Sequence, residues 1–173
     1  MRKLILYFLL ISLFACTSKD ETNEYVEHYS INLNKQVEKF KENFSSNDIH
    51  KLVLQNGIVE QKIITIEQLL NDINSFKEFD INKPAWKNSY KIVKTNQYTR
   101  FEATENKLTL KHIDVFGDVE NPIRICIYFQ NNNNLYYSSK YIDWDLKKSY
   151  SIFSIQDVNG MESDTIFIKS TWN

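Results

Sequence analysis

The chain has 173 residues, of which 42% are hydrophobic and 25% are charged, with 21 basic and 22 acidic side chains. This length suits one compact domain with a sizeable core, but not comfortably two. The balanced charge and the lack of a basic stripe argue against nucleic acid and anionic membrane surfaces as partners, because both require clustered Lys and Arg.

The first fifteen residues have the layout of a secretory signal, with Arg2 and Lys3, an apolar run over residues 4–14 and a small Ala15 before Cys16. A membrane-spanning helix needs ~20 apolar residues, so we predict that residues 1–15 are cleaved. The segment LFAC at residues 13–16 resembles the lipobox of bacterial lipoproteins. The resemblance implies that Cys16 carries a diacylglycerol and acyl chains such as palmitate. The alternative is a core cysteine after an ordinary signal peptide.

A short charged motif, Lys19, Asp20 and Glu21, follows the cysteine. It resembles the signal with which some diderm bacteria export lipoproteins to the outer face of the outer membrane. A solvated tether explains the same residues equally well, because residues 17–30 are polar and net acidic. We therefore expect residues 16–30 to form a lipidated flexible tether, with the protein anchored in the outer membrane on its periplasmic or cell-surface face.

Cleavage would leave 158 of the 173 residues and remove two basic side chains, so the mature chain carries 19 basic against 22 acidic groups, a formal charge of −3. Cys126 is then the only free thiol, which excludes an internal disulfide even in an oxidising envelope. We read residues 31–173 as a single globular α+β domain.

Two amphipathic helices are expected early in this domain. The apolar residues of the first recur at spacings of four, three and four, which places them on one face: Leu33, Val37, Phe40 and Phe44. Thr65 can cap the second, whose apolar stripe comprises Ile66, Leu69, Leu70, Ile73 and Phe76. Asn56-Gly57 between them suits a two-residue hairpin turn, although residues 48–55 are also compatible with a helix.

From Trp86 onward the apolar residues recur with period two, which is typical of strands. Alternation at residues 123–129 predicts that Ile123, Ile125, Ile127 and Phe129 face a core. Short polar connections, including Asn159-Gly160 as a tight hairpin turn, favour an antiparallel meander of six to seven strands. The predicted fold is α+β, with two helices packed on the meander and an N-terminal hairpin. Closure of the sheet into a partial barrel is the alternative.

The whole mature chain is similar to a group of small bacterial lipoproteins. The resemblance rests on the lipobox, the Asn56-Gly57 hairpin, and the segments INKPAWKNSY at residues 81–90 and NNLYYSSKYI at residues 133–142. It implies a lipobox signal peptide followed by one α+β domain, and adds no activity or site.

Familiar catalytic and cofactor motifs are missing from the sequence. Three glycines are too few for a dinucleotide fingerprint or a phosphate loop, and neither G-x-S-x-G nor H-E-x-x-H occurs. His28, His50 and His112 are isolated, so we predict no metal and no cofactor. The acidic segment DVNGMESD at residues 157–164 lacks the glycine and glutamate positions of a calcium loop, and a turn explains it better.

Asp143 and Asp145 flank Trp144, so on a strand both acids point to the same side. This arrangement suits an acid–base pair of an envelope hydrolase beside an aromatic side chain. A solvated strand end that runs into Lys147-Lys148 is the alternative that we prefer. A concave pocket around the two carboxylates would favour the hydrolase, and open water would oppose it.

Aromatic side chains concentrate in one segment and form the candidate binding surface: Tyr136, Tyr137, Tyr141 and Trp144. Tyr and Trp combine a large apolar area with a polar tip, which suits recognition of a glycan or an envelope protein. Ordinary packing on a half-buried sheet explains the same residues. The sequence therefore favours a non-enzymatic binding or accessory lipoprotein, with the hydrolase as the alternative.

Overall fold

The computed structural model describes residues 31–86 and 88–173. The predictions of the signal peptide, of lipidation at Cys16, of the export motif at Lys19, Asp20 and Glu21 and of the tether concern positions outside the described residues. Within the described ranges the chain forms two α-helices, two short 3-10 segments and nine strands.

Helix α1 spans Leu33–Asn43, as its apolar spacing predicts. Asn32 caps it, because its side-chain oxygen accepts a hydrogen bond from the Lys35 N–H at 2.9 Å. The stripe is buried at Leu33, Val37 and Phe40, and Phe44 is half-buried just beyond the helix.

Helix α2 spans Ile66–Asn74 and is followed by a 3-10 segment at Ser75–Phe79, with a second one at Pro84–Trp86. The Thr65 hydroxyl accepts from the Gln68 N–H, and the Gln68 side chain accepts from the Thr65 N–H, so a capping box starts the helix. The predicted cap is confirmed.

The nine strands form one antiparallel sheet in the order β2-β1-β9-β8-β7-β6-β5-β4-β3. Seven of them, β3 to β9, are the predicted meander, and the hairpin of β1 and β2 joins it through β9. Asn56 and Gly57 form the hairpin turn with φ of 48° and 84°. The strand bounds are β1 Ile49–Gln55, β2 Ile58–Ile63, β3 Tyr90–Lys94, β4 Tyr98–Ala103, β5 Leu110–Gly117, β6 Pro122–Asn132, β7 Tyr136–Asp145, β8 Ser149–Val158 and β9 Asp164–Trp172.

The sheet is open, with β2 and β3 as its two edges. The alternative of a partial barrel is therefore wrong, since these edges do not pair with each other in the described part of the chain. An open sheet keeps one line of backbone groups unpaired at each edge.

The helices pack on one side of the sheet, here called the inner face. Phe40 of α1 and Phe76 of the 3-10 segment each place a ring 5.5 Å from the ring of Trp144. The Tyr150 hydroxyl donates to the Asp72 carboxylate of α2. The opposite side, here called the outer face, carries no helix from the described residues.

Strand β6 follows the predicted alternation except at its start. Ile125 and Ile127 are fully buried and Phe129 is half-buried, but Ile123 is 55% exposed, so its assignment to the core is wrong. Ile123 lies beside a register shift with β5, and its side chain rests against Gly117.

The connection between β8 and β9 contains the expected turn, but the hairpin is not tight. The Met161 N–H donates to the Val158 carbonyl at 2.9 Å, and Gly160 has φ of 84°. The loop nevertheless spans residues 159–163. The Asn159 side chain donates to the Asn134 carbonyl in the neighbouring loop at 2.8 Å.

Candidate functional site

The four side chains of the predicted binding surface lie on two faces of β7. Tyr137 and Tyr141 lie on the outer face, whereas Tyr136 and Trp144 lie on the inner face, because successive residues of a strand alternate between faces. Trp144 is fully buried. Trp144 therefore belongs to the core and not to an exposed surface, while Tyr137 and Tyr141 are the members of the predicted surface that lie on the outer face.

The outer face carries a line of aromatic side chains across four neighbouring strands. Tyr128, Tyr141, Phe153 and Phe167 lie directly opposite one another on β6, β7, β8 and β9, and are here called the aromatic row. Tyr141 and Phe153 are 40% and 41% exposed. Strand spacing of ~4.8 Å gives the row a length of about 14 Å.

Hydroxyl and amide groups surround the tyrosine end of the row. The side chains of Ser139, Gln130 and Tyr128 interact with the Tyr137 hydroxyl and lower the pKa of Tyr137. Burial raises the pKa of Tyr128. Fixed polar groups thus lie beside aromatic rings, where they can bind a ligand that has both apolar and hydroxyl surfaces.

Two bidentate ion pairs border the row on the outer face. Arg124 donates to both oxygens of Asp143 at 2.6 Å, and Arg100 donates to both oxygens of Asp114 at 2.6 and 2.7 Å. The carboxylate of each pair raises the pKa of its arginine. Paired forks of this kind are rigid and leave little net charge, so this part of the face is polar but close to neutral.

The guanidinium groups also lie over aromatic rings. Arg124 lies 5.3 Å from the ring centre of Phe116, and Arg100 lies 5.3 Å from that of Tyr98. At this distance each cation is attracted by the face of its ring. Neither ion pair lines any of the three cavities described for the folded part.

Cys126 lies next to the ion pair of Arg124 and Asp143. It is buried although it belongs to the outer face, and its thiol lies 3.7 Å from the Asp143 carboxylate. Burial raises the pKa of the thiol, so Cys126 is not a reactive thiolate.

The candidate catalytic carboxylates share the outer face, as the alternation predicts, but both are engaged. Asp143 uses both oxygens on Arg124. Asp145 accepts the Lys147 N–H at 3.0 Å and lies 3.7 Å from the Lys148 amine. Neither carboxylate lines the three cavities described for the folded part, which measure 410, 280 and 260 Å³.

The 410 Å³ cavity is a second candidate site that the sequence analysis missed. It opens beside the end of α1, and its apolar wall is formed by Phe40, Phe44 and Trp172, whose rings lie 5.0 to 5.5 Å apart. Asn43 and Asn121 belong to its polar lining. Trp172 reaches Phe40 and Phe44 from a distant part of the chain, so the local sequence pattern does not predict this wall.

Metal binding finds no support in residues 31–86 and 88–173, where no three His, Cys, Asp or Glu side chains converge. His50 lies 2.9 Å from Asp48 and His112 lies 3.9 Å from Asp114, while His28 lies outside the described residues. In the predicted turn segment, Asp164 accepts a hydrogen bond from the Asn56 side chain at 2.8 Å.

Comparison with known proteins returns no relative: no family model, no curated protein and no solved structure matches the chain. In the part of the chain that the structure describes, no helix has the length and hydropathy required to cross a bilayer.

Proposed function

We propose that the protein is a lipid-anchored, non-enzymatic binding protein of the bacterial cell envelope, held in the outer membrane through Cys16. Its proposed ligand is an envelope glycan, bound on the outer face of the sheet. The observation that carries this proposal is the aromatic row, in which Tyr141 and Phe153 are exposed, on a face that the described helices leave free.

A glycan fits the chemistry of this face better than an envelope protein. Sugar rings present C–H groups that pack on aromatic rings, and hydroxyl groups at their rim that need hydrogen-bond partners. Tyr141 and Phe153 supply exposed rings, and the polar side chains around Tyr137 supply the partners. The ion pairs are internally satisfied, which favours a neutral ligand over a highly charged one.

A hydrolase that uses Asp143 and Asp145 is less well supported. A general acid or base needs an oxygen within hydrogen-bond reach of its substrate, but Arg124 occupies both oxygens of Asp143. Trp144 lies on the opposite face and is fully buried, so it cannot bind substrate beside the two acids. These contacts support a structural role for both carboxylates.

Co-sedimentation tests the binding proposal, with purified peptidoglycan sacculi, cellulose and an agarose-immobilised outer-membrane polysaccharide as probes. We expect the protein to sediment with at least one glycan, and Tyr141→Ala to weaken that binding about tenfold, since loss of one stacking contact is worth about 1.4 kcal/mol. Tyr136→Ala is the matched control, because Tyr136 lies on the same strand but on the inner face.

Failure of the wild type to bind any of these glycans would contradict the proposal. Equal losses in Tyr141→Ala and Tyr136→Ala would do the same, because they would indicate a general loss of structure. Binding of an envelope protein, without binding of any glycan, would favour the envelope-protein partner.

Membrane anchoring is tested separately by Cys16→Ser. Without acyl chains the protein has no hydrophobic anchor, so we expect it to leave the membrane fraction after washing with high salt and carbonate. Continued membrane association after both washes would refute lipidation as the means of anchoring.

The export motif is tested by replacing Lys19, Asp20 and Glu21 together with alanine. We expect lipidation to persist, while cleavage by a protease added outside whole cells decreases. Unchanged cleavage would identify the three residues as part of a plain tether.

A further inference from the structure

Strand β2 is an exposed edge of the sheet. All six of its residues are exposed, and three are large and apolar, namely Ile58, Val59 and Ile63 at 76%, 59% and 69%. Proteins commonly protect such edges with lysines, proline or a bulge. The opposite edge, β3, has two lysines among its five residues, whereas the single lysine of β2 lies 3.3 Å from Glu60 on the same strand.

The hairpin register determines which backbone groups of β2 point outward. Gln55 pairs with Ile58 across the two-residue turn, so residues 58, 60 and 62 bond to β1. The bond from the Ile64 N–H to the Ile49 carbonyl, at 3.0 Å, continues this series. The N–H and C=O groups of Val59, Gln61 and Ile63 therefore point away from the sheet.

We propose that β2 pairs antiparallel with β2 of a second copy of this chain, about a two-fold axis at Gln61. In this register Gln61 lies opposite Gln61 of the second copy, and Val59 lies opposite Ile63. The outward N–H and C=O groups of Val59, Gln61 and Ile63 then pair with those of the second copy. Each of the three residue pairs exchanges two bonds, which gives six backbone hydrogen bonds. A symmetric dimer results, in which the same strand serves both copies.

Charge complementarity selects this register. It places Glu60 of each copy opposite Lys62 of the other on the inner face, and thereby forms two symmetric ion pairs. A shift of two residues in one direction places Glu60 opposite Glu60, and a shift in the other places Lys62 opposite Lys62. Like charges directly opposite one another are destabilising, and each shift also removes one of the outward residues from the pairing.

The apolar side chains agree with the same register. Val59 and Ile63 lie on the outer face, so Val59 of each copy contacts Ile63 of the other. Val59 also lies opposite Leu54, which lies opposite Phe167 at the end of the aromatic row. The dimer would therefore join the outer faces of two copies through a continuous apolar band.

Disulfide crosslinking of the full chain in membranes tests the axis. The Cα atoms of a directly opposed, hydrogen-bonded pair lie ~5.5 Å apart, which suits a disulfide. We expect Gln61→Cys to give a crosslinked product of twice the chain mass under mild oxidation. Gln97→Cys is the control, because Gln97 is exposed in the turn between β3 and β4 at the far edge.

Three outcomes would overturn the proposal: no dimer from Gln61→Cys, an equal yield from Gln97→Cys, or an adduct with a different protein. A yield from Glu60→Cys that matches Gln61→Cys would also overturn it, because Glu60 is not opposite itself in this register.

Charge exchange supplies the second test, with Gln61→Cys crosslinking as the readout. Glu60→Lys turns both ion pairs into repulsions, so we expect the dimer yield to fall about tenfold. The double variant Glu60→Lys/Lys62→Glu restores the complementarity and should recover the yield. Circular dichroism checks that each variant is folded, and failure of the double variant to recover would refute the ion pairs.

Discussion

Truncation of Ile125 to alanine tests the architecture most directly. Ile125 is fully buried on the inner face, directly opposite Val115 on β5 and Trp144 on β7. Backbone hydrogen bonds to both neighbouring strands prevent the sheet from collapsing into the space left behind. We therefore expect a loss near the upper half of the usual range for buried Ile→Ala changes, about 3–5 kcal/mol. This is a large share of a typical stability of about 5–15 kcal/mol.

Ile123→Ala is the matched control, because Ile123 is the same residue type on the same strand, but lies beside the register shift and is 55% exposed. We expect it to cost no more than about 1 kcal/mol. Urea denaturation of both variants in the Cys16→Ser background, followed by fluorescence, gives the two free energies. Equal losses from the two variants, or a neutral Ile125→Ala, would refute the assigned faces of β6.

Three further changes have definite expected outcomes. Asp143→Asn should cost roughly 1 kcal/mol in the same urea assay, because Arg124 loses its partner but is 43% exposed and screened by solvent. Thr65→Ala should cost about 1 kcal/mol through loss of the capping box with Gln68. Burial lowers the pKa of His112, so this side chain binds a proton more tightly in the unfolded chain than in the folded one. The free energy of unfolding should therefore fall as the pH drops below about 6.5, and His112→Gln should make that fall smaller.

The main elements of the fold follow from periodicity. The helices at Leu33–Asn43 and Ile66–Asn74 have clear apolar faces and capping residues, and the strands after Trp86 alternate with short polar connections. Such local signals fix element type and favour antiparallel neighbours. They leave open whether the sheet closes, because closure depends on the accumulated geometry of nine strands and on the pairing of the distant strands β1 and β9.

The sequence alone predicts only part of the candidate site. The alternation along β7 already separates Tyr137 and Tyr141 from Trp144, so treating all four aromatic residues as one surface neglected the period of the strand. The partners Phe153 and Phe167 could not be identified, because they depend on the registers of β7 with β8 and of β8 with β9. A change of two residues in either register would place other side chains opposite Tyr141.

The two proposals together make glycan binding depend on pairing. A single aromatic row of about 14 Å contacts only a short stretch of polymer, and such binding is weak on its own. Two rows in one dimer, bound to one long chain, turn the second contact into an intramolecular event and raise the apparent affinity without any new contact. We therefore expect Glu60→Lys to weaken binding to an insoluble polysaccharide strongly, while binding to a short oligosaccharide of the same sugar is unchanged. If Glu60→Lys weakened binding to both ligands, Glu60 would itself contact the ligand or the substitution would disturb the fold. If it weakened binding to neither, each copy would bind alone.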